Sequence, residues 1–158
     1  MSGSNPGFTN PTTPNQADYT VFVQSWGVTP TYLPVTSFWL TTTLKVACSV
    51  VNRSLRITDP EIYTLAVYNL GMDRLVNWAQ DQPGQTYFQT LRKDFKLVYA
   101  FAPGVVASTS DQGTSASYLN PEWMSSLTIL DIELMKTPWG RNYMGFAASY
   151  GGAIWGLS

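Results

Sequence analysis

The 158-residue chain has the length of one domain, and a chain of this size typically buries roughly 70 % of its extended-chain surface on folding. Only 12 % of its residues are charged, against a typical figure of about 25 %, whereas 14 % are aromatic, including six Trp and nine Tyr. The net charge of −1, with nine basic residues spread along the chain, excludes a broad phosphate-binding surface and argues against sequence-specific nucleic-acid binding. Interfaces are rich in Tyr and Trp and poor in Lys and Glu, so the composition favours an assembly protein over the alternative, a monomer with an aromatic-rich core.

The sequence lacks the usual signals of catalysis. It has no histidine, which removes the commonest general base and metal ligand and every Ser-His-Asp or Cys-His arrangement. Two pairs of charged residues have structural explanations: first-turn charges of a helix for Asp59 and Glu61, and a surface ion pair for Glu133 and Lys136. The sequence contains no phosphate-loop pattern and no G-x-G-x-x-G pattern, so it gives no sign of nucleotide binding. We therefore predict that the chain is not an enzyme and uses no cofactor or metal, with an unusual carboxylate enzyme as the remote alternative.

Cysteine usage and hydropathy indicate the compartment. Cys48 is the only cysteine, so a disulfide within the chain is impossible, and its position on an apolar helix face predicts a packed thiol. The chain does not begin with a basic segment followed by an apolar run, and no apolar stretch approaches the roughly 20 residues that span a bilayer. We expect a soluble protein made in the cytoplasm, without a membrane partner.

Residues 1 to 33 are predicted to form an extended or disordered N-terminal arm. The first 18 residues are rich in Pro, Gly, Asn, Ser and Thr and contain one aromatic residue, too little apolar surface to offset the entropy of ordering. The pattern YTVFVQSW at 19 to 26 predicts a short β or extended segment, and Gly27, Pro30 and Pro34 keep the following chain non-helical. Such an arm reaches on the order of 100 Å when fully extended, far enough to cross onto a neighbouring subunit.

The segment 58 to 81 predicts a core-facing central helix near 59 to 80. Thr58 and Glu61 have the spacing of a capping box, and Pro60 fits the first turn. Gly71 lies in mid-helix, where it either allows close approach of another backbone or permits a bend. Apolar residues at three-and-four spacing form one stripe, on which Asn69 is the one polar residue: Ile62, Leu65, Ala66, Met72, Leu75, Val76 and Ala79.

A helix near 36 to 56 precedes the central one, and about three residues separate the two, which favours an antiparallel helical hairpin. Its predicted apolar face contains Leu40, Leu44, Ala47, Val51 and Leu55, joined by Phe38, Trp39 and Cys48. The fold class is therefore mostly α, a small helical bundle built on this hairpin, with little sheet beyond residues 19 to 26.

The remaining chain adds three predicted helices, near 87 to 99, near 121 to 136 and, shorter, from Pro138 to Tyr150. A long low-charge loop occupies residues 102 to 120, longer than ordinary connections in compact domains. Gly151 and Gly152 then end the last helix. The predicted organisation is an N-terminal arm, a helical domain over 34 to 150 and a C-terminal tail over 151 to 158.

The aromatic C-terminal region is the predicted protein interface, formed by Trp139, Arg141, Tyr143, Tyr150, Trp155 and Leu157. Trp139, Tyr143 and Tyr150 are also spaced to face the core of the subunit, which is the alternative interpretation. Trp155 and Leu157 lie beyond the glycine pair, where exposed apolar side chains are a liability unless another surface covers them.

The order of these parts resembles the head-to-tail adaptor (connector) proteins of tailed bacteriophages, a helical family whose subunits form a ring beneath the portal. The hairpin of residues 35 to 81, the third helix from Phe88, the loop 102 to 120 and the terminal segment KTPWGRNYMGFAASYGGAIWGLS carry the resemblance. The extended residues 1 to 33 depart from the smallest members of the family.

The resemblance implies a structural virion protein of the neck region, made in the host cytoplasm. It implies a homo-oligomeric ring, commonly of twelve subunits, with the C-terminal segment docked on the portal protein and with loops meeting the tail or the next adaptor protein. It also implies passage of DNA through the ring without sequence-specific contacts. The alternative is a helical protein-binding or regulatory module that acts as a small oligomer.

Overall fold

The computed structural model describes residues 7 to 97 and 133 to 150, and these ranges contain helices and no strand. The helices are α1 (Gln16–Ser25), α2 (Phe38–Val50), α3 (Arg53–Thr58), α4 (Pro60–Trp78), α5 (Tyr87–Asp94) and α6 (Pro138–Tyr150). The prediction of a mostly α fold is therefore confirmed.

Helix α4 is the centre of the bundle. Every residue from Ala66 to Val76 is buried, and α4 packs against each of the five other helices. The apolar stripe expected from the sequence is only part of this buried surface, because neighbours surround the helix on several sides. Ile62 and Leu65, which belong to the expected stripe, are only half-buried.

The start of α4 differs by one residue from the predicted capping box. Asp59 is the N-cap, and its Oδ1 accepts hydrogen bonds from the backbone N–H groups of Glu61 and Ile62 at 3.1 and 3.2 Å. Pro60 occupies the first turn, as expected, while Thr58 is the last residue of α3. A carboxylate at the cap also interacts favourably with the positive end of the helix dipole.

The single helix predicted at 36 to 56 is wrong, because the chain breaks between α2 and α3. Val51 has an extended backbone with ψ 131°, and Asn52 caps α3 by accepting a hydrogen bond from the backbone N–H of Ser54 at 2.9 Å. An Asn side chain can offer the backbone such a local alternative to a continuous helix. Helix α2 packs against α4, while their antiparallel arrangement as a hairpin stays a prediction.

The β or extended segment predicted at 19 to 26 is also wrong, since these residues belong mostly to α1. Asn15 caps α1 by accepting from the backbone N–H of Asp18 at 2.9 Å. Tyr19, Phe22 and Val23 satisfy a helical spacing as well as an alternating one, and all three are buried. Packing against the rest of the bundle therefore decided the conformation, as tertiary contacts commonly override propensity.

The described part of the predicted N-terminal arm, residues 7 to 33, is folded onto the bundle rather than extended. The Asp18 carboxylate accepts hydrogen bonds from the backbone N–H groups of Thr9 and Asn10, both at 2.8 Å, and from the Asn15 side chain at 2.9 Å. The Tyr68 hydroxyl on α4 accepts from the Asn15 backbone N–H at 3.1 Å. Hydrogen bonds that fix the backbone of this segment thus offset its low apolar content.

Asp18→Ala should lower the free energy of unfolding by about 1 to 3 kcal/mol, because the buried carboxylate accepts several hydrogen bonds that water would only partly replace. Burial alone would raise the pKa of the Asp18 carboxyl, but the bonds from Thr9, Asn15 and Asn10 outweigh it and lower the pKa. The contribution of Asp18 to the free energy of unfolding is therefore fully present above the ordinary pKa of Asp and is lost as the pH falls through the lowered pKa. Urea unfolding at pH 7 measures the effect, with Asp94→Ala, at an exposed position, as the control expected to change little.

Gly71 accommodates a side chain rather than another backbone. A Cβ atom at Gly71 would lie 2.9 Å from the Cε1 and hydroxyl oxygen atoms of Tyr19, closer than carbon atoms normally approach. The Tyr19 ring is fully buried, and its hydroxyl is 2.8 Å from the Thr43 hydroxyl on α2. Gly71 thus lets one tyrosine fill the space where α1, α2 and α4 meet.

The last two helices position the C-terminal part of the described chain. Helix α5 is shorter than the predicted 87 to 99, because the chain leaves the helical conformation after Asp94 and Lys96 has a positive φ of 60°. Helix α6 has the predicted bounds of Pro138 to Tyr150. The predicted loop 102 to 120, most of the helix predicted at 121 to 136 and the tail 151 to 158 lie outside the described residues.

Candidate functional site

Helix α6, which carries four of the predicted interface residues, begins at a well-defined cap. The Thr137 hydroxyl accepts a hydrogen bond from the backbone N–H of Gly140 at 2.9 Å, and Pro138 occupies the first helical position. This local signal fixes where α6 starts and therefore which side chains face inward.

Trp139 and Tyr143 face the core. Trp139 is 4 % exposed and makes edge-to-face contacts with Trp26 and Phe95, with ring centroids 5.5 and 5.7 Å apart. Tyr143 is also buried. Their burial within one subunit favours the core interpretation of these two residues over the interface interpretation.

The other predicted interface residues divide into one exposed position and three that lie outside what is described. Arg141 is exposed, and its Nη1 donates a hydrogen bond to the carbonyl oxygen of Met135 at 2.8 Å. The Tyr150 side chain and all of Trp155 and Leu157 lie outside the described residues. The structure thus brings Trp139, Arg141 and Tyr143 together on α6, with one of the three facing solvent.

Several large apolar side chains are exposed elsewhere on the surface of the described residues. Ile57 on α3 is 86 % exposed and Phe38 at the start of α2 is 67 % exposed, although Phe38 was predicted to join the apolar face of that helix. Within residues 7 to 97 and 133 to 149, the other large exposed apolar side chains are those of Trp26, Val35, Val50 and Trp78. The break at Asn52 places Ile57 on a short separate helix, which the continuous-helix prediction could not show.

A shallow cleft of about 270 Å³ lies between the segment after α1 and the start of α5. Its lining consists of Tyr32, Gln85, Thr86, Tyr87, Thr90 and Leu91. The Tyr32 and Tyr87 rings stack with centroids 4.2 Å apart and an interplanar angle of 12°. The lining is uncharged, so the cleft offers hydroxyl, amide and aromatic contacts but no charged partner for a ligand.

A buried polar cluster joins α4 to the start of α6. The Asp73 carboxyl, 1 % exposed, accepts a hydrogen bond from the Thr137 hydroxyl at 2.6 Å and one from Arg74 at 3.1 Å. Farther along α6, the Asn142 side chain donates to the Asn69 side-chain oxygen at 3.3 Å. Sequence reasoning missed Asp73; a usable signal was its position directly after Met72 and two residues before Leu75, in the apolar part of a helix.

Burial raises the pKa of the Asp73 carboxyl to about 6. The charge of Glu133 raises the pKa as well, whereas the Thr137 hydrogen bond and the Arg74 charge act against the shift. Glu133 is itself paired with Lys136 at 2.8 Å, as its spacing predicted. The cluster therefore contains a carboxyl group that changes charge close to neutral pH, which an ordinary Asp does not do.

Three properties of the described residues concern metal binding, thiol reactivity and membrane crossing. No group of three or more His, Cys, Asp or Glu side chains within 7 to 97 and 133 to 150 is placed to hold a metal ion. Burial raises the pKa of the half-buried Cys48 thiol, which makes it a weaker nucleophile at neutral pH. None of the helices in these ranges is long and apolar enough to cross a membrane.

Comparison with known proteins gives no relative from which a role could be transferred. No protein-family model, no curated protein and no solved structure matches the chain.

Proposed function

We propose that this chain is a structural virion protein that forms a homo-oligomeric ring in the neck of a tailed bacteriophage, joining the portal to the tail or to the next adaptor. The proposal rests on the resemblance of the sequence to head-to-tail adaptors, and the mostly helical fold is compatible with it. The low content of charged residues and the abundance of aromatic ones support an assembly role of this kind.

The exposure of Ile57 and Phe38 is the observation that carries an assembly role. Ile57 is the penultimate residue of α3 and Phe38 is the first residue of α2, so both lie on helices. Val50 and Val35 are exposed near them in the sequence. Covering exposed apolar side chains with a neighbouring subunit removes their surface from water, which lowers the free energy of the assembly.

The C-terminal tail supplies the second contact of the proposal. Trp155 and Leu157 would enter pockets on the portal protein, and Arg141 would make a charge-assisted contact nearby. Arg141 is exposed, and one of the five guanidinium donors is engaged by Met135 within the subunit. Its remaining donors suit a carboxylate on the partner.

The mass of the chain in solution, alone and mixed with the portal protein of the same virus, tests the proposal. We expect a large ring, or ring formation on the portal, and we expect Ile57→Ser and Phe38→Ser to weaken assembly at least tenfold while the isolated subunit keeps its unfolding midpoint. The reason is that both side chains lie outside the core, so their loss affects contacts between subunits and not the fold. Native mass spectrometry measures the stoichiometry and urea unfolding measures the subunit.

Deletion of residues 153 to 158 separates attachment from self-association. Under the proposal the shortened subunit stays folded but no longer attaches to the portal. A chain that still attaches normally, or one that unfolds, contradicts the role of the tail. A fixed small oligomer that ignores the portal favours the alternative, a helical protein-binding or regulatory module.

A further inference from the structure

The contact between Asp73 and Thr137 joins two distant parts of the chain at the point where α6 begins. The Thr137 hydroxyl donates to the Asp73 carboxyl and at the same time accepts from the backbone N–H of Gly140. One side chain therefore links the buried carboxyl of α4 to the cap of α6. Any change in the charge of Asp73 acts directly on the cap that starts α6.

The charged surroundings of Asp73 come from two elements. On α4, Arg74 donates to the carboxyl and is itself mostly buried. From the segment before α6, Glu133 adds negative charge; one of its carboxylate oxygens bonds Lys136, and its Oε2 is buried without a hydrogen-bond partner. These are the charged groups of the described residues that act on Asp73, so a neighbouring carboxylate opposes its ionisation while a single arginine favours it.

We infer that Asp73 is a protonation-dependent latch that holds α6 against α4, closed most firmly when the carboxyl is neutral and loosened when it ionises. Ionisation leaves a negative charge in a buried site facing Glu133, and separation of α6 from α4 lets water reach it. The inference does not depend on the proposed role in a virion.

The latch responds to pH between the ordinary pKa of Asp and the raised pKa of Asp73, because only there does the ionisation of Asp73 differ between the open and closed states. Because the sequence contains no histidine, no side chain with an ordinary pKa titrates between pH 5 and 7. The raised pKa of Asp73, about 6 against an ordinary 3.8, lies in that window. If α6 opens to a state in which Asp73 has its ordinary pKa, the opening constant rises up to roughly 100-fold between pH 4 and pH 7.

Hydrogen exchange of the α6 backbone tests the latch. The logarithm of the protection factors of residues 141 to 149, corrected for the intrinsic pH dependence of exchange, should fall in the wild-type protein as the pH rises from about 4 to about 6, with a midpoint near pH 5, halfway between 3.8 and about 6. In Asp73→Asn the neutral side chain still accepts from Thr137, so we expect protection that no longer changes over this range. Asp94→Asn, at an exposed position on α5, is the matched control and should behave as wild type.

A second pair of variants distinguishes a latch from a contact that only supports the fold. Thr137→Val removes the hydrogen bond that lowers the pKa of Asp73 and should move the midpoint to higher pH, whereas Thr137→Ser keeps the hydroxyl and should leave it unchanged. Protection in the wild type that is independent of pH, or a pH dependence that persists in Asp73→Asn, overturns the inference. Should Asp73→Asn fail to fold, an unshifted midpoint in Thr137→Val overturns it equally.

Discussion

Gly140→Ala is expected to destabilise the protein by at least about 3 kcal/mol, the upper end of what overpacking usually costs. A Cβ atom at this position would overlap the carbonyl oxygen of Leu134 and lie 2.7 Å from its carbonyl carbon. The obstacle is backbone, which cannot rotate away as a flexible side chain can. The start of α6 would have to move, and with it the Thr137 cap and the contact with Asp73.

The same helix provides a matched control for this prediction. Gly145 is also helical and exposed, and nothing lies within 4 Å of a Cβ placed there. Gly145→Ala should therefore stabilise the protein by up to about 1 kcal/mol, because Ala has the higher helix propensity. Urea unfolding of both variants should give shifts of opposite sign; a Gly140→Ala protein as stable as wild type would contradict the close packing of α6 on Leu134.

Local signals explain which helices could be predicted from the sequence. Helix α6 was predicted with its observed bounds because Pro138 marks its start and Gly151 follows its end. Helix α4 was predicted to within two residues because Pro60 and neighbouring carboxylates mark its start. In each case the information lies within a few residues of the boundary, where capping and proline effects operate.

Contacts between distant residues explain what the sequence could not show. The pattern around Tyr19 fits a strand or a helix, and its burial beside Gly71, 52 positions away on α4, decides for the helix. The Asp73–Thr137 hydrogen bond joins residues 64 positions apart. No periodicity or motif encodes such a pairing, so the polar cluster between α4 and α6 became visible only in the folded chain.

Leu75→Ala should lower the free energy of unfolding by about 2 to 5 kcal/mol, since it removes buried methyl groups and leaves a cavity that the surroundings only partly fill. Leu75 lies on α4, the helix that contacts all the others, and none of its surface is exposed. Collapse around the site is therefore difficult, which favours a value in the upper half of the range.

Ile57→Ala is the matched comparison, because it removes a comparable aliphatic side chain from a residue that is 86 % exposed. In the isolated subunit its effect should stay within about 0.5 kcal/mol, as is usual for surface positions. The unfolding midpoints are measured at concentrations low enough to keep the protein dissociated. Assembly is measured separately, at high concentration. A large loss of subunit stability in Ile57→Ala, or none in Leu75→Ala, would contradict the assignment of Leu75 to the core and Ile57 to the surface. A loss of assembly without a loss of stability in Ile57→Ala would mark α3 as part of a contact between subunits.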